Sequence, residues 1–209
     1  MKYFNSLPSI TNVDSNGNYY LLKNILIRTK LKSELSRNPM LFYKYTIQEQ
    51  DTPESIAYKY YGDQYRYWIV LLANEIIDPQ WQWPLTNQQF LKYLTDKYSV
   101  DAGGSENVLS YITATFTHYE QNITTIDRNT QTSAIKTVDI DADTFNSLNE
   151  ETVNKTFPDG SQVTYIISKR AVSIYDYENE LNESKREINI LNSVYVSDIE
   201  SQYEKLVRI

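Results

Sequence analysis

Tyr45-Thr46-Ile47-Gln48-Glu49-Gln50-Asp51-Thr52-Pro53-Glu54-Ser55-Ile56-Ala57, closed by Tyr60-Tyr61-Gly62, is the stretch whose reading decides the fold. The run from Phe42 to Gln48 alternates and is rich in β-formers, which predicts a strand. Thr52 stands where a helix needs an N-cap, since its hydroxyl can accept from a first-turn amide. Pro53 loses no helical hydrogen bond at the first position, and Glu54 suits the positive end of the helix dipole. Ile56, Ala57 and Tyr60 share a face, and Gly62 supplies the stop. A second helix, predicted over 64–75, brings Trp68, Leu71 and Leu72 to one side before Asp78-Pro79 breaks it. Residues near Trp81 to Leu85, returning as a strand, would close a βααβ unit.

Further along the chain, Thr86 caps a predicted helix over 87–98 with Phe90, Leu91 and Leu94 as its apolar face. Asp101-Ala102-Gly103-Gly104-Ser105 is a Gly-rich loop and marks a boundary. Val108 to Phe116 and Gln162 to Ile167 read as strands, with Pro158-Asp159-Gly160 as a turn. The polar residues 122–154 between them read as a strand-and-loop insertion. The C-terminal part reads as helices over 176–187 and 197–206, and Ser197-Asp198-Ile199-Glu200 has the spacing of a capping box. At the N-terminus, Tyr20, Leu21, Leu22, Ile25, Leu26 and Ile27 form an apolar run. Its β-branched residues and the later Pro39 argue against one long helix. Such an arm must pack on its own domain or on a partner. The expected class is α+β: an N-terminal extended arm over 1–42, a βααβ module with its following helix over 43–100, a β-rich region with an insertion over 101–171, and C-terminal helices over 172–209.

Composition narrows the function. The chain has 209 residues, 41% of them hydrophobic, which is enough for a core. It carries 19 Tyr, 5 Gly and no Cys. Tyr supplies rigid apolar area with a polar tip, as contact surfaces require. Without Cys there is neither a disulfide framework nor a thiolate metal site. The net charge of −7 argues against nucleic-acid binding, which draws on clustered Lys and Arg. The N-terminal residues lack the apolar stretch of a signal peptide. The run from Trp68 to Ala73 is far short of the roughly 20 residues that span a bilayer, so no membrane segment is expected.

Specific chemistry finds little support. Asp139, Asp141, Asp143 and Glu150 have the spacing of a calcium loop, but Thr144 stands where the sharp turn wants Gly, so a solvated acidic loop is the better reading. His118 is the sole histidine, too few for a His- and Cys-based zinc site, and His118-Tyr119-Glu120 reads as a packed strand end. Neither a nucleophile elbow nor a phosphate-cradling loop occurs. The expectation is therefore no catalytic residue, no metal and no cofactor. Trp68 reads as core. Tyr58, Tyr61 and Tyr65 lie beside the apolar stripe and, with Tyr20, Leu22, Ile25, Ile27, Trp81 and Trp83, are candidates for a partner interface.

Two resemblances bear on function. The opening stretch resembles a LysM module: an extended Tyr-Thr-Ile strand, an Asp-Thr loop, then Ile-Ala one turn into a helix. In glycan-binding LysM modules the groove would correspond to Gln50, Asp51, Thr52 and Pro53 with Asn74, Ile76 and Ile77. Gln50 in place of the usual Gly argues against close approach of a sugar. A longer pattern runs through Thr52-Pro53-Glu54, Tyr61-Gly62, Tyr67-Trp68-Ile69-Val70-Leu71-Leu72-Ala73-Asn74, Ile77-Asp78-Pro79 and Trp83-Pro84-Leu85. With Leu7-Pro8-Ser9-Ile10, Lys23-Asn24-Ile25-Leu26-Ile27-Arg28 and Tyr177-Glu178-Asn179-Glu180-Leu181, it resembles the baseplate wedge subunit of T-even-like contractile-tailed phages, the gene-product-fifty-three family. That resemblance implies a non-enzymatic virion protein of the tail baseplate, assembled in the host cytoplasm. Its partners would be other baseplate wedge and hub proteins, with several copies, six to a ring, helping to join wedges. The alternative is a LysM-type peptidoglycan-binding protein or part of a tail lysozyme. A paired catalytic site beside the module would mark the lysozyme, and none is found.

Overall fold

Thr52 caps its helix in the expected way: its Oγ1 accepts from Ser55 N at 3.1 Å while Ser55 Oγ accepts from Thr52 N at 2.9 Å. The structure, a computed structural model, describes residues 3–32, 35 and 38–207. The elements of the first half are α1 (Tyr3–Ser6), β1 (Ser9–Val13), β2 (Tyr19–Lys23), β3 (Phe42–Thr46), α2 (Pro53–Tyr61), α3 (Tyr67–Ala73), α4 (Pro79–Gln82) and α5 (Asn87–Tyr98). Then come α6 (Val108–Ala114), β4 (Phe116–Asp127), β5 (Thr132–Ile140), α7 (Ala142–Ser147), β6 (Glu151–Thr156), β7 (Gln162–Ser173), α8 (Ile174–Glu183), β8 (Glu187–Leu191) and α9 (Val196–Val207). The fold is α+β. It divides into two compact units, Met1–Asn87 with Asn182–Ile209, and Gln88–Leu181. Among the described residues no helix is long and apolar enough to cross a membrane.

The first unit is built on the deciding stretch, but its second strand comes from elsewhere. β3 pairs antiparallel with β8, Phe42 opposite Leu191 and Thr46 opposite Glu187. The expected strand at Trp81 to Leu85 is instead the short helix α4, with the Asp78 side chain accepting from Gln80 N at 3.0 Å and Pro79 at the first helical position. The helix expected over 176–187 ends at Glu183, and β8 follows because Ile188 and Ile190 alternate into the core. There they join Ile47, Ile56 and Ala57 from the deciding stretch and Trp68, Ile69 and Val70 of α3, with Val196, Tyr203 and Val207 of α9 closing the cluster. The proposed capping box at Ser197 is not formed. Helix α9 already begins at Val196, and Glu200 forks with Arg66 instead, at 3.0 and 3.1 Å. Helix α3 is shorter than expected and buries Trp68, Ile69, Val70 and Ala73, leaving Leu71 and Leu72 half-buried.

The second unit carries an antiparallel four-stranded sheet in the order β5-β4-β7-β6. Residues 122–154, read as a strand-and-loop insertion, contain the end of β4, all of β5 and the start of β6, with the helix α7 inserted between β5 and β6. Phe157 and Gly160 close the β6–β7 turn, Gly160 N donating to Phe157 O at 2.9 Å. The strand expected over 108–116 begins only at Phe116. Residues Val108 to Ala114 form a helix because Val108 and Ile112, one turn apart, are both buried there, and packing overrides their β propensity. Within this unit Glu178 is 5% exposed and gathers Lys97 Nζ at 2.6 Å, Tyr98 Oη at 2.7 Å and Tyr93 Oη at 3.2 Å, which fastens α8 to α5.

Candidate partner interface

β1 and β2 form a hairpin in which Ile10 faces Leu22 across the ladder, and Val13 faces Tyr19. The turn is self-sufficient: Asp14 Oδ1 accepts from Asn16 N and Asn18 N, each at 2.8 Å, and Gly17 takes the left-handed conformation at φ 81°. These bonds hold the Asp14 carboxyl below the usual carboxylate range, with Asn18 the main cause. Side chains alternate in a strand, so Ile10, Tyr20 and Leu22 lie on one face and Val13, Tyr19 and Leu21 on the other. Every residue of both strands is exposed, so neither apolar face is covered by the described residues.

The base of the hairpin is fixed. Lys23 Nζ donates to Leu7 O at 2.7 Å and Asn5 O at 3.1 Å, and Asn24 N donates to Pro8 O at 2.9 Å. Leu7 itself is buried in the core of the first unit. The hairpin is therefore an apolar ribbon with an anchored root. Ile25 and Leu26 extend its exposed surface, while Ile27 turns inward and packs against the core.

Most of the residues singled out in the sequence are where a partner could reach them. Tyr20, Leu22, Ile25, Tyr58, Tyr65 and Trp81 are exposed. Tyr61, at 7% exposed, belongs to the core, because it occupies the inner face of α2 with Ile56 and Ala57. Trp83 is half-buried and its Nε1 donates to Asp51 O at 3.1 Å, closing the loop before α2. Three residues left out of the candidates are more exposed than any hairpin residue among them: Tyr19 at 76%, Leu21 at 75%, and Leu26, just beyond β2, at 84%. Alternation would have found Leu21, since a hairpin that buries neither face exposes both.

The groove expected of a sugar-binding module is occupied by structural bonds. Asp51 Oδ2 accepts from Tyr45 Oη at 2.6 Å and from Gln48 N at 2.8 Å. Thr52 is consumed as the cap, and Pro53 begins α2. Asn74 Nδ2 donates to Val70 O and Asn189 O, and its Oδ1 accepts from Asn189 N. Ile76 N donates to Leu71 O at 2.9 Å to finish α3, and Gln50, Thr52 and Ile77 are the exposed residues of that set. The acidic residues with calcium-loop spacing are likewise dispersed: Asp139 lies in β5, Asp141 caps α7 by accepting from Thr144 N at 2.7 Å, Asp143 is in the first turn of α7, and Glu150 accepts from Lys169 N.

A search of curated proteins gave no match to this sequence. The family described as base plate wedge protein 53 matches residues 9–209, which takes in the hairpin, the first unit's core except Leu7, and the whole second unit. The chain therefore belongs to the phage base plate wedge protein 53 family.

Proposed function

We propose that this protein is a structural subunit that binds other wedge proteins of the phage tail baseplate and helps join wedges into the ring, with the β1–β2 hairpin as its principal contact. Family membership gives the structural baseplate role and the location in the virion tail. The observation that supports the finer reading is the two-faced apolar hairpin on a fixed root. A ribbon with both faces apolar is stabilised by a partner that encloses it, and burying each Leu or Ile would contribute about 1.5–3 kcal/mol. Tyr58, Tyr65 and Trp81 give the first unit further aromatic area of the kind enriched at interfaces. Copies of the subunit would recur around the ring, six in all, with assembly in the host cytoplasm.

The order β3, α2, α3 with an antiparallel closing strand supports reading this part as LysM-like, with β8 rather than residues 81–85 as the second strand. Its polar residues are engaged in internal bonds, which favours a scaffold over a sugar-binding site. The test is co-expression with the other wedge components of the same phage. The wild-type chain is expected to co-purify with them, and the Leu21→Asp/Leu26→Asp variant to stay folded by circular dichroism yet be left out. Incorporation of that variant at the wild-type level would overturn the assignment of the hairpin.

A further inference from the structure

Three side chains of the second unit meet only because of strand register. His118 and Glu120 are two apart on β4 and so share a face. Asp139 of β5 lies directly opposite Glu120 in the ladder. One ligating atom from each residue lies within 4.8 Å of both others. His118 Nε2 and Glu120 Oε1 are 3.3 Å apart, which matches the edge of a tetrahedron of ligands about 2.1 Å from a zinc ion.

Two of the three side chains carry like charge at close quarters. Like charges directly opposite each other on adjacent strands repel, and Glu120 and Asp139 are such a pair. Arg170 faces Glu120 from β7 and attracts it, although its closest ion pair is with Glu180 Oε1, Nη1 at 2.6 Å. The imidazole faces the same carboxylate, as an ion pair when protonated and as a lone-pair donor beside it when neutral. A bulge between Phe116 and His118 leaves Thr117 outside the ladder, and Thr117 Oγ1 donates to Val172 O at 3.1 Å. With its proton committed there, Thr117 Oγ1 accepts from His118 Nδ1 at 2.9 Å. In the neutral ring that fixes the hydrogen on Nδ1 and leaves the Nε2 lone pair aimed at the Glu120 carboxylate. A hydrogen-bonded Nδ1 with Nε2 directed at other donors is how metal-binding histidines are oriented. Tyr177, edge-on to the ring at 6.0 Å, supports it from α8.

We propose that His118, Glu120 and Asp139 form a binding site for a borderline divalent cation of the zinc type. One imidazole and two carboxylates select zinc over magnesium or calcium, which prefer all-oxygen sites, and over manganese by intrinsic affinity. The site has three protein ligands and leaves a position for water or a donor from a neighbouring protein. Its effect is to clamp the edge strand β5 onto β4.

Because His118 is the only histidine, ring-¹⁵N spectra of the tag-free full chain report on this residue alone. The expected spectrum is that of the Nδ1–H tautomer, with Nε2 shifting on addition of zinc and not of magnesium or calcium. Calorimetry is expected to give one zinc per chain, with affinity falling about tenfold or more in both Asp139→Asn and Glu120→Gln. Zinc should also raise the unfolding temperature of the wild type more than that of Asp139→Asn, an exposed edge-strand change. A ring spectrum unmoved by zinc would overturn the proposal. So would equal zinc affinity in wild type and both variants, since the histidine would then bind alone.

Discussion

Asn74 treats Asn189 as a neighbouring strand would: its Nδ2 donates to Asn189 O at 2.9 Å and its Oδ1 accepts from Asn189 N at 2.7 Å. Asn189 stands opposite Lys44 in the β3–β8 ladder. Its N–H and C=O point together away from β3, at the edge where a third strand would lie. One side chain thus satisfies the backbone of a strand 115 residues away and also bonds Val70 O at 2.8 Å. Asn74→Ala leaves a part-buried donor and acceptor without partners, at about 1–3 kcal/mol. Asn74→Asp keeps the acceptor but loses both donated bonds, so it is expected to be no better. Urea unfolding of the two variants checks this. Stability within about 0.5 kcal/mol of wild type would show that solvent replaces Asn74 without loss.

Glu178 makes acid stability depend on one carboxylate. Burial pushes its pKa up, but the bonds from Lys97, Tyr98 and Tyr93 outweigh burial and hold it below the usual carboxylate range. A carboxyl with a depressed folded pKa contributes stability that is fully present above its unfolded pKa and is lost as pH falls through the folded one. Glu178→Gln is therefore expected to cost about 1–3 kcal/mol near neutral pH. The gap to wild type should close on acidification below about pH 4.5, the ordinary value for Glu. Denaturant unfolding in steps from about pH 7 to about pH 3 measures that gap. A gap that stays constant over the range would mean that Glu178 acts through packing rather than charge.

The consecutive helices α2 and α3 are followed by left-handed residues of opposite suitability. Gly62, after α2, has φ 69° with nothing within 4 Å of a Cβ placed on it. Glu75, just past α3, has φ 55° and carries a full side chain. Gly62→Ala is expected to destabilise by about 1–2 kcal/mol through backbone strain alone. Glu75→Gly should stabilise by up to about 1 kcal/mol, because its ion pair with Lys30 at 3.0 Å is exposed and worth little. Opposite shifts in the urea midpoint are the expected readout, and a loss of stability in Glu75→Gly would assign real weight to Lys30–Glu75.

What was legible in the sequence was local. Thr52, Pro53 and Gly62 fix α2 through bonds spanning only a few residues, and the structure has each in its expected role. Asp78-Pro79 carries the same start signal as Thr52-Pro53, a capping side chain followed by Pro. It reads as a stop only if the second half of the signal is ignored, and so α4 was missed. β8 was hidden because its partner is β3, far away in the chain, and because the acidic helix α8 runs up to it. The alternation of Ile188 and Ile190 was its one local trace. The meeting of His118, Glu120 and Asp139 depends on the register of β4 against β5, which a spacing rule written for a single loop does not contain. The hairpin's role was half legible: its apolar content was visible, but alternation on two uncovered faces required the pairing of Ser9–Val13 with Tyr19–Lys23.

That pairing makes the proposed interface separable face by face. Leu22 shares a face with Tyr20 and Ile10, and Leu21 shares the opposite one with Tyr19 and Val13. If wedge partners enclose the ribbon, Leu21→Asp and Leu22→Asp each place a charge in a covered apolar surface. Each is then expected to weaken binding to the wedge components more than tenfold, on the basis of about 1.5–3 kcal/mol for a buried Leu. In the isolated chain both residues face solvent, so each variant should unfold within about 0.5 kcal/mol of wild type. Binding measured by calorimetry or by competition for assembly gives the comparison. Loss from Leu22→Asp alone would mean that the partner covers a single face and that the hairpin lies on its surface instead of within it. Loss from neither would remove the hairpin from the interface and leave Tyr58, Tyr65 and Trp81 as the aromatic surface to test next.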